Sequence, residues 1–499
     1  MIYNCAMIEI RTVAWILLIP LLNALQGTNQ QTAKPAVLAL TPCEVPGISV
    51  KAQCGRYEVF EDRASGKGRK ISLRIVVLPA TGSERAPDPI VYIAGGPGSS
   101  AVEDARGIVE LFGKLRERRD LVFIDQRGTG DSHPLDCPLY NPADLQSFLG
   151  YFFPLDAVRK CREQLEPKAN LTLYTTPIAM DDLDEVRAAL GYDQLNIFGA
   201  SYGTRAAMVY MRQHPKHVRT VSLLGPAPTN QFMPQDFALH NDRALQGILA
   251  ECAANEPCNQ AFPNLRAETK AVLARLLKGP VEVEVKPPEG RSGTASRAKV
   301  KLSRDLAAEA IRYMLYSPGA ASQVPLFLHL AAQGNFVPLA EAALRYRRNL
   351  VGTGSNGLYL SITCAEDLPF IKPGEGERMA ANTFLGDYRL QQQREACALW
   401  PRGTVPSNYS EPTRSTAPVL ILTGEWDPVT PPSNGEAVAR HLPNSLHVVV
   451  PHGAHGFGGL EGADCIVQLN TEFVERGTVK GLDTSCVKNV RRSGFALKL

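Results

Sequence analysis

The chain has little excess charge of either sign: a formal +3 over 499 residues. That leaves no electrostatic case for a nucleic-acid partner. Its small basic clusters, Arg116-Glu117-Arg118-Arg119 and Arg491-Arg492, read as solvated faces. There is no internal repeat and no low-complexity tract, so repeat architectures have no basis here. No cluster of histidine and cysteine has zinc-site spacing, and no metal is expected. The glycine-rich stretch Gly95-Gly96-Pro97-Gly98 is not followed by Lys-Ser or Lys-Thr, which removes the phosphate-loop reading. The apolar run from Thr12 to Leu22 is short for a membrane span, and Pro20 breaks it.

What is present is ordinary for a soluble globular protein: 44% hydrophobic and 21% charged residues. The length corresponds to about two to three domains. Arg11 before the apolar run, and the polar stretch Gln26 to Thr32 after it, have the layout of a secretory signal peptide, so residues 1–33 are expected to be a signal and polar lead-in. An uncleaved N-terminal anchor is the alternative. After cleavage no membrane association is expected, and the location is secreted or periplasmic. Of 11 cysteines, Cys5 leaves with the signal. The even remainder suggests a disulfide framework in an exported chain. Successive spacing predicts five local pairs: Cys43 with Cys54, Cys137 with Cys161, Cys252 with Cys258, Cys364 with Cys397, and Cys465 with Cys486. Buried free thiols are the competing reading.

Along the chain, Arg56–Glu61 and Ile71–Leu78 alternate like two antiparallel edge strands. Short apolar runs at 89–94 and 120–125 read as buried parallel strands. Further strands are expected from Leu195 running into Gly199-Ala200-Ser201-Tyr202-Gly203, and at 218–224. From about Thr229 to Arg402 the period becomes helical, interrupted by a polar, turn-rich insertion, Pro287 to Ala298. Strands resume at 418–424 and 445–450. The alternation implies a doubly wound, mostly parallel sheet with its site at the C-terminal ends of the strands.

The most informative stretch is Leu195 to Ala207, where an apolar strand runs through Gly199-Ala200-Ser201-Tyr202-Gly203 into a helix. Glycines on either side of a serine let strand and helix close around a sharp turn, so the hydroxyl stands clear above the sheet. A serine nucleophile needs a base, and the base needs an orienting carboxylate. The loop after the resumed strand offers Asp427, with Glu425 as rival. The loop after the last strand offers His455, with His452 as rival. An oxyanion hole needs two backbone N–H donors. Tyr202, directly after the serine, and Gly96, in the first glycine-rich loop, are the candidates. The Asp125-Gln126-Arg127-Gly128-Thr129-Gly130 loop is expected to brace the site.

Together with Gly95-Gly96-Pro97-Gly98-Ser99, these motifs resemble the prolyl-iminopeptidase and tripeptidyl-aminopeptidase branch of the α/β-hydrolases. The resemblance spans roughly Cys43 to Cys486. It implies an α/β-hydrolase fold in two parts, residues 34–228 and 403–499, with a helical cap at 229–402. It implies a serine exopeptidase that releases short N-terminal units, a single residue such as proline or a tripeptide, through an acyl-enzyme and without a cofactor. The iminopeptidases usually carry histidine before Gly-Gly-Pro-Gly. Here the residue is Ala94, which argues against strict proline specificity. A carboxylesterase with the same Ser-His-Asp machinery is the alternative, and a catalytically inactive binding module is the reading from another class. The expected partners are peptides with a free N-terminus, bound by a monomer. Holding a substrate ammonium calls for carboxylates facing the cleft. Glu366, then Asp367, are nominated for that role, with a solvated acidic pair as the plain alternative.

Overall fold

A computed structural model describes residues 38–286 and 297–499. The expected signal segment lies outside the described residues, as does most of the polar insertion. Among the described residues no helix is long and apolar enough to cross a membrane.

The strands are β1 Thr41–Val45, β2 Ile48–Phe60, β3 Lys70–Leu78, β4 Ile90–Ile93, β5 Leu121–Ile124, β6 Leu195–Ala200, β7 Val218–Leu224, β8 Val281–Val285, β9 Ala298–Leu302, β10 Val419–Gly424 and β11 Ser445–Val450. Nine of them form one sheet in the order β1-β2-β3-β5-β4-β6-β7-β10-β11. The first three pairings are antiparallel and the rest parallel. Helices cover both faces, so the parallel strands read as unbroken apolar runs, and every residue of β4 and β5 is buried. Alternation divides their side chains between two cores: Val91, Ile93, Val122 and Ile124 on one face, and Ile90, Tyr92, Leu121 and Phe123 on the other.

Two details differ from the sequence reading. The alternating pair β2–β3 does not form the edge, because β1 pairs outside β2. The stretch between β7 and β10 is helical, but it also holds the antiparallel pair β8–β9. Val283, Val285, Val300 and Leu302 bury one face of that pair. Each strand is only five residues long. A period-2 signal that short, split by a polar insertion, is easily lost among longer helical repeats.

The structure joins Cys43 with Cys54, Cys137 with Cys161, Cys252 with Cys258, Cys364 with Cys397, and Cys465 with Cys486. The Cys364–Cys397 bond ties helix Asn356–Glu366 to helix Tyr388–Leu399, both of which reach the cavity described below.

Candidate active site

Ser201 sits between β6 and helix Tyr202–Gln213 with φ 54° and ψ −122°. Few non-glycine residues adopt a positive φ, and such strain persists only where the surroundings hold it. Here the serine N–H donates to the Leu224 carbonyl of β7 at 2.9 Å. The flanking glycines are required by contact. A Cβ on Gly203 would lie 2.1 Å from the Ile93 carbonyl oxygen, and one on Gly199 would lie 2.5 Å from that of Gly203. The backbone leaves room for hydrogen alone.

Asp427 and His455 meet from the loops after β10 and β11. His455 Nδ1 lies 2.9 Å from Asp427 Oδ2. The other carboxylate oxygen accepts from the Val429 and Thr430 N–H groups, each at 2.8 Å. Burial works against the charge of Asp427, but the His455 ring and these N–H donors outweigh it and hold the carboxyl below its usual range. Thr430 completes the group. Its hydroxyl donates to Asp427 Oδ2 at 2.9 Å and lies 3.1 Å from His455 Nδ1. In the sequence only its spacing of three residues from Asp427 marks Thr430. Gly225, at the end of β7, is close-packed here as well: a Cβ would lie 2.7 Å from Thr430 Oγ1 and 3.3 Å from His455 Cε1.

The rival residues belong to a separate group. Glu425 Oε2 accepts from the His452 N–H at 2.9 Å. The His452 ring lies 2.7 Å from Glu251, which also accepts from Trp426 Nε1 and Arg492 Nε. Among the described residues two His-carboxylate groups, Asp184 with His214 and His217, and Glu251 with Glu425 and His452, bring potential ligand atoms within 4.8 Å of one another. Neither includes Ser201 or His455.

Gly96 and Ser201 line one cavity with His455. Gly96 has φ +106°, open to glycine. The loop packs against the elbow so closely that a Cβ on Gly95 would lie 3.3 Å from Ser201 Cβ. Tyr202 is the first residue of the elbow helix, so its N–H belongs to the first-turn donors that no carbonyl of the helix can reach. Asp125 accepts from Ser100 Oγ at 2.6 Å and from the Val102 N–H at 3.1 Å, tying the loop after β5 to the helix that follows Gly95–Ser99.

Glu366 and Asp367 require a correction. Neither faces the cleft, and both are 0% exposed. Glu366 accepts from the Thr176 N–H at 2.6 Å, the Thr176 hydroxyl at 2.7 Å and the Tyr409 hydroxyl. Burial raises its carboxyl to about 6. Asp367 accepts from Arg205 Nη1 at 2.8 Å and from the Met233 N–H at 3.0 Å. Arg205 lies on the elbow helix. The pair braces that helix from within the core and cannot meet a substrate ammonium.

The cavity beside Ser201 has a volume of about 290 Å³. Its walls are largely aromatic, with Phe152, Phe237, Tyr313, Tyr316 and Tyr359 among them, and among the described residues no Asp or Glu lines it. Tyr316 packs edge-on to the His455 ring, with centroids 5.1 Å apart. Two arginines, Arg312 and Arg389, also line it. Nothing in their local sequence marks them, since they sit on helices whose other faces are ordinary core.

A strained serine and a carboxylate-oriented imidazole thus line one cavity, with Gly96 beside them. The α/β hydrolase fold family matches residues 88–458. The chain is 27% identical to Serine protease Hip1 of Mycobacterium tuberculosis, over 92% of this chain and 93% of that one. It is 27% identical to a tripeptidyl aminopeptidase of Streptomyces lividans, over 87% and 83%. It is also 27% identical to a proline iminopeptidase of Neisseria gonorrhoeae, over 34% and 42%.

Proposed function

The chain belongs to the α/β-hydrolase fold family, and on that premise we propose that it is a serine peptidase releasing short N-terminal units, tripeptides before single residues. The observation that carries this reading is that His455, bonded to Asp427 through Nδ1, opens onto the same cavity as Ser201. In the proposed cycle Ser201 Oγ attacks the scissile carbonyl while His455 takes its proton. Asp427 keeps the imidazole in the tautomer that presents Nε2 and stabilises the imidazolium. The N–H groups of Tyr202 and Gly96 hold the oxyanion. His455 then protonates the leaving amine, and afterwards activates the water that releases the acyl group.

Similarity to relatives named as peptidases, over most of both chains, supports peptides as substrates. A cavity near the small end of the ligand-pocket range favours a chain end over a through-running polypeptide. Release of one residue would put the substrate ammonium beside Arg312 and Arg389. A released tripeptide carries the ammonium about 7 Å further away. Residues 229–402 are read as the cap over this cavity, and the disulfides support export.

The deciding experiment is a fluorogenic panel of tripeptide and single-residue substrates with free and acetylated N-termini, beside simple esters, run on the wild type and Ser201→Ala. Free-amine tripeptides should turn over, Ser201→Ala should abolish that turnover, and a fluorophosphonate should label the wild type at Ser201. Turnover confined to esters would establish the esterase alternative.

A further inference from the structure

The cavity next to Ser201 is cationic as well as aromatic. Arg389 is 3% and Arg312 2% exposed, and both line it. Arg347 lies behind them, 1% exposed, with its Nη1 donating to Tyr140. Among the described residues the carboxylate set against these guanidiniums is Glu309; burial pushes its carboxyl up, but Arg312, Arg389 and Arg347 in turn hold it below its usual range. Glu309 is also committed elsewhere. It accepts from Arg312 Nη1 at 3.2 Å and from the Tyr388 hydroxyl.

The two lining arginines are not equivalent. Arg312 donates Nη1 to Glu309 and Nη2 to the Tyr316 hydroxyl, the latter at 2.7 Å, and among the described residues only its Nε meets no acceptor. Arg389 stacks on Phe152, 3.6 Å from the ring centroid, and its nearest charged partner is Glu309 at 3.6 Å from Nε, beyond hydrogen-bond range. Among the described residues no acceptor meets Arg389 Nε or Nη1, although both atoms are buried. A buried guanidinium with two open donors is costly unless something else satisfies it. Its planar fork matches a carboxylate, and stacking on Phe152 holds that fork in place.

We propose that Arg389, with Arg312 beside it, is a subsite for a carboxylate of the substrate, so that the enzyme selects peptides with an acidic group next to the cleaved bond. This rests on the peptidase reading given above. Two sources share that chemistry: an acidic side chain on the acyl side of the bond, or the terminal carboxylate of a short peptide.

The test compares Ala-Ala-Glu, Ala-Ala-Gln and Ala-Ala-Lys aminocoumarin amides on the wild type, Arg389→Met and Arg389→Lys. The wild type should favour Glu over Gln by at least about tenfold in kcat/KM, as for a hydrogen-bonded charge. Arg389→Met should level Glu and Gln, and Arg389→Lys should restore part of the preference. A purely structural arginine would lower all three substrates alike. Equal turnover of Glu, Gln and Lys by the wild type would exclude the side chain as the source, and together with charge-independent protection in the arm below it would overturn the subsite, while leaving the peptidase reading intact. A second arm needs no turnover: protection of Ser201 from a fluorophosphonate by Ala-Ala-Glu amide, Ala-Ala-Gln amide and Ala-Ala-Gln free acid. Stronger protection by the Glu amide identifies the side chain, and stronger protection by the free acid identifies the terminus. Protection independent of charge would overturn the proposal even if no peptide were cleaved.

Discussion

The phenol of Tyr202 and the hydroxyl of Thr176 share a hydrogen bond of 2.7 Å, and through Thr176 the residue behind the nucleophile is tied to Glu366. Glu366 lies in the core with its carboxyl raised to about 6, first by burial, against the hydrogen bonds from Tyr409 and Thr176. A carboxyl raised on folding contributes stability that is complete below its unfolded value of about 4.5 and is lost as pH rises through about 6. Glu366→Gln, which cannot ionise, should remove this dependence. Denaturant unfolding should show the variant gaining about 2 kcal/mol on the wild type between pH 4 and pH 7. An unchanged difference across that range would show that Glu366 does not titrate there.

Arg205 and Asp367 are both fully buried and paired at 2.8 Å. Asp367→Ala leaves the guanidinium charged in the core without its paired carboxylate. It should destabilise the protein by about 3–5 kcal/mol. The double variant Asp367→Leu with Arg205→Met should recover much of that loss, as exchange of a buried ion pair for apolar side chains often does. Thermal melts of the three proteins test the pair, and a double variant no better than the single one would contradict it.

Asp427→Asn keeps the size of the side chain but offers His455 the wrong hydrogen-bond partner. Turnover should fall by about 10⁴-fold with little change in folding. Glu425→Gln, in the His452–Glu251 group, should stay within a few-fold of wild type. A reversed ranking in kcat would assign the acid to Glu425.

The Cys364–Cys397 bond closes a sequence separation of 33 between two cavity-lining helices. Chain-entropy arguments assign such a bond about 3–4 kcal/mol. Replacing both cysteines by serine should lower the melting temperature and raise KM more than it lowers fluorophosphonate labelling of Ser201. The reason is that Tyr359 and Arg389 ride on those helices while Ser201 rides on the sheet.

Local sequence carried much of this molecule. Gly199 and Gly203 mark a turn whose geometry excludes any Cβ, so the strand-serine-helix junction is readable from five residues. The apolar runs of β4 and β5 announce a sheet covered on both faces, because each of their side chains must be buried on one side or the other. The order Ser201, Asp427, His455 could be read because each follows a strand whose end points to the same rim. By contrast, the short β8–β9 pair was lost in a helical stretch.

Which polar groups face the substrate was decided by tertiary packing alone. Glu366 and Asp367 look in sequence like an acidic pair near the site, yet a helix rotated toward the core turns both onto Thr176 and Arg205. Thr430 and Gly225 come from different segments and meet only because β7 and β10 are neighbours. Arg312 and Arg389 lie 77 positions apart in the chain. Helical periodicity tells that a side chain is on a buried face. It does not tell what lies opposite that face, and here the opposite side is the cavity of Ser201.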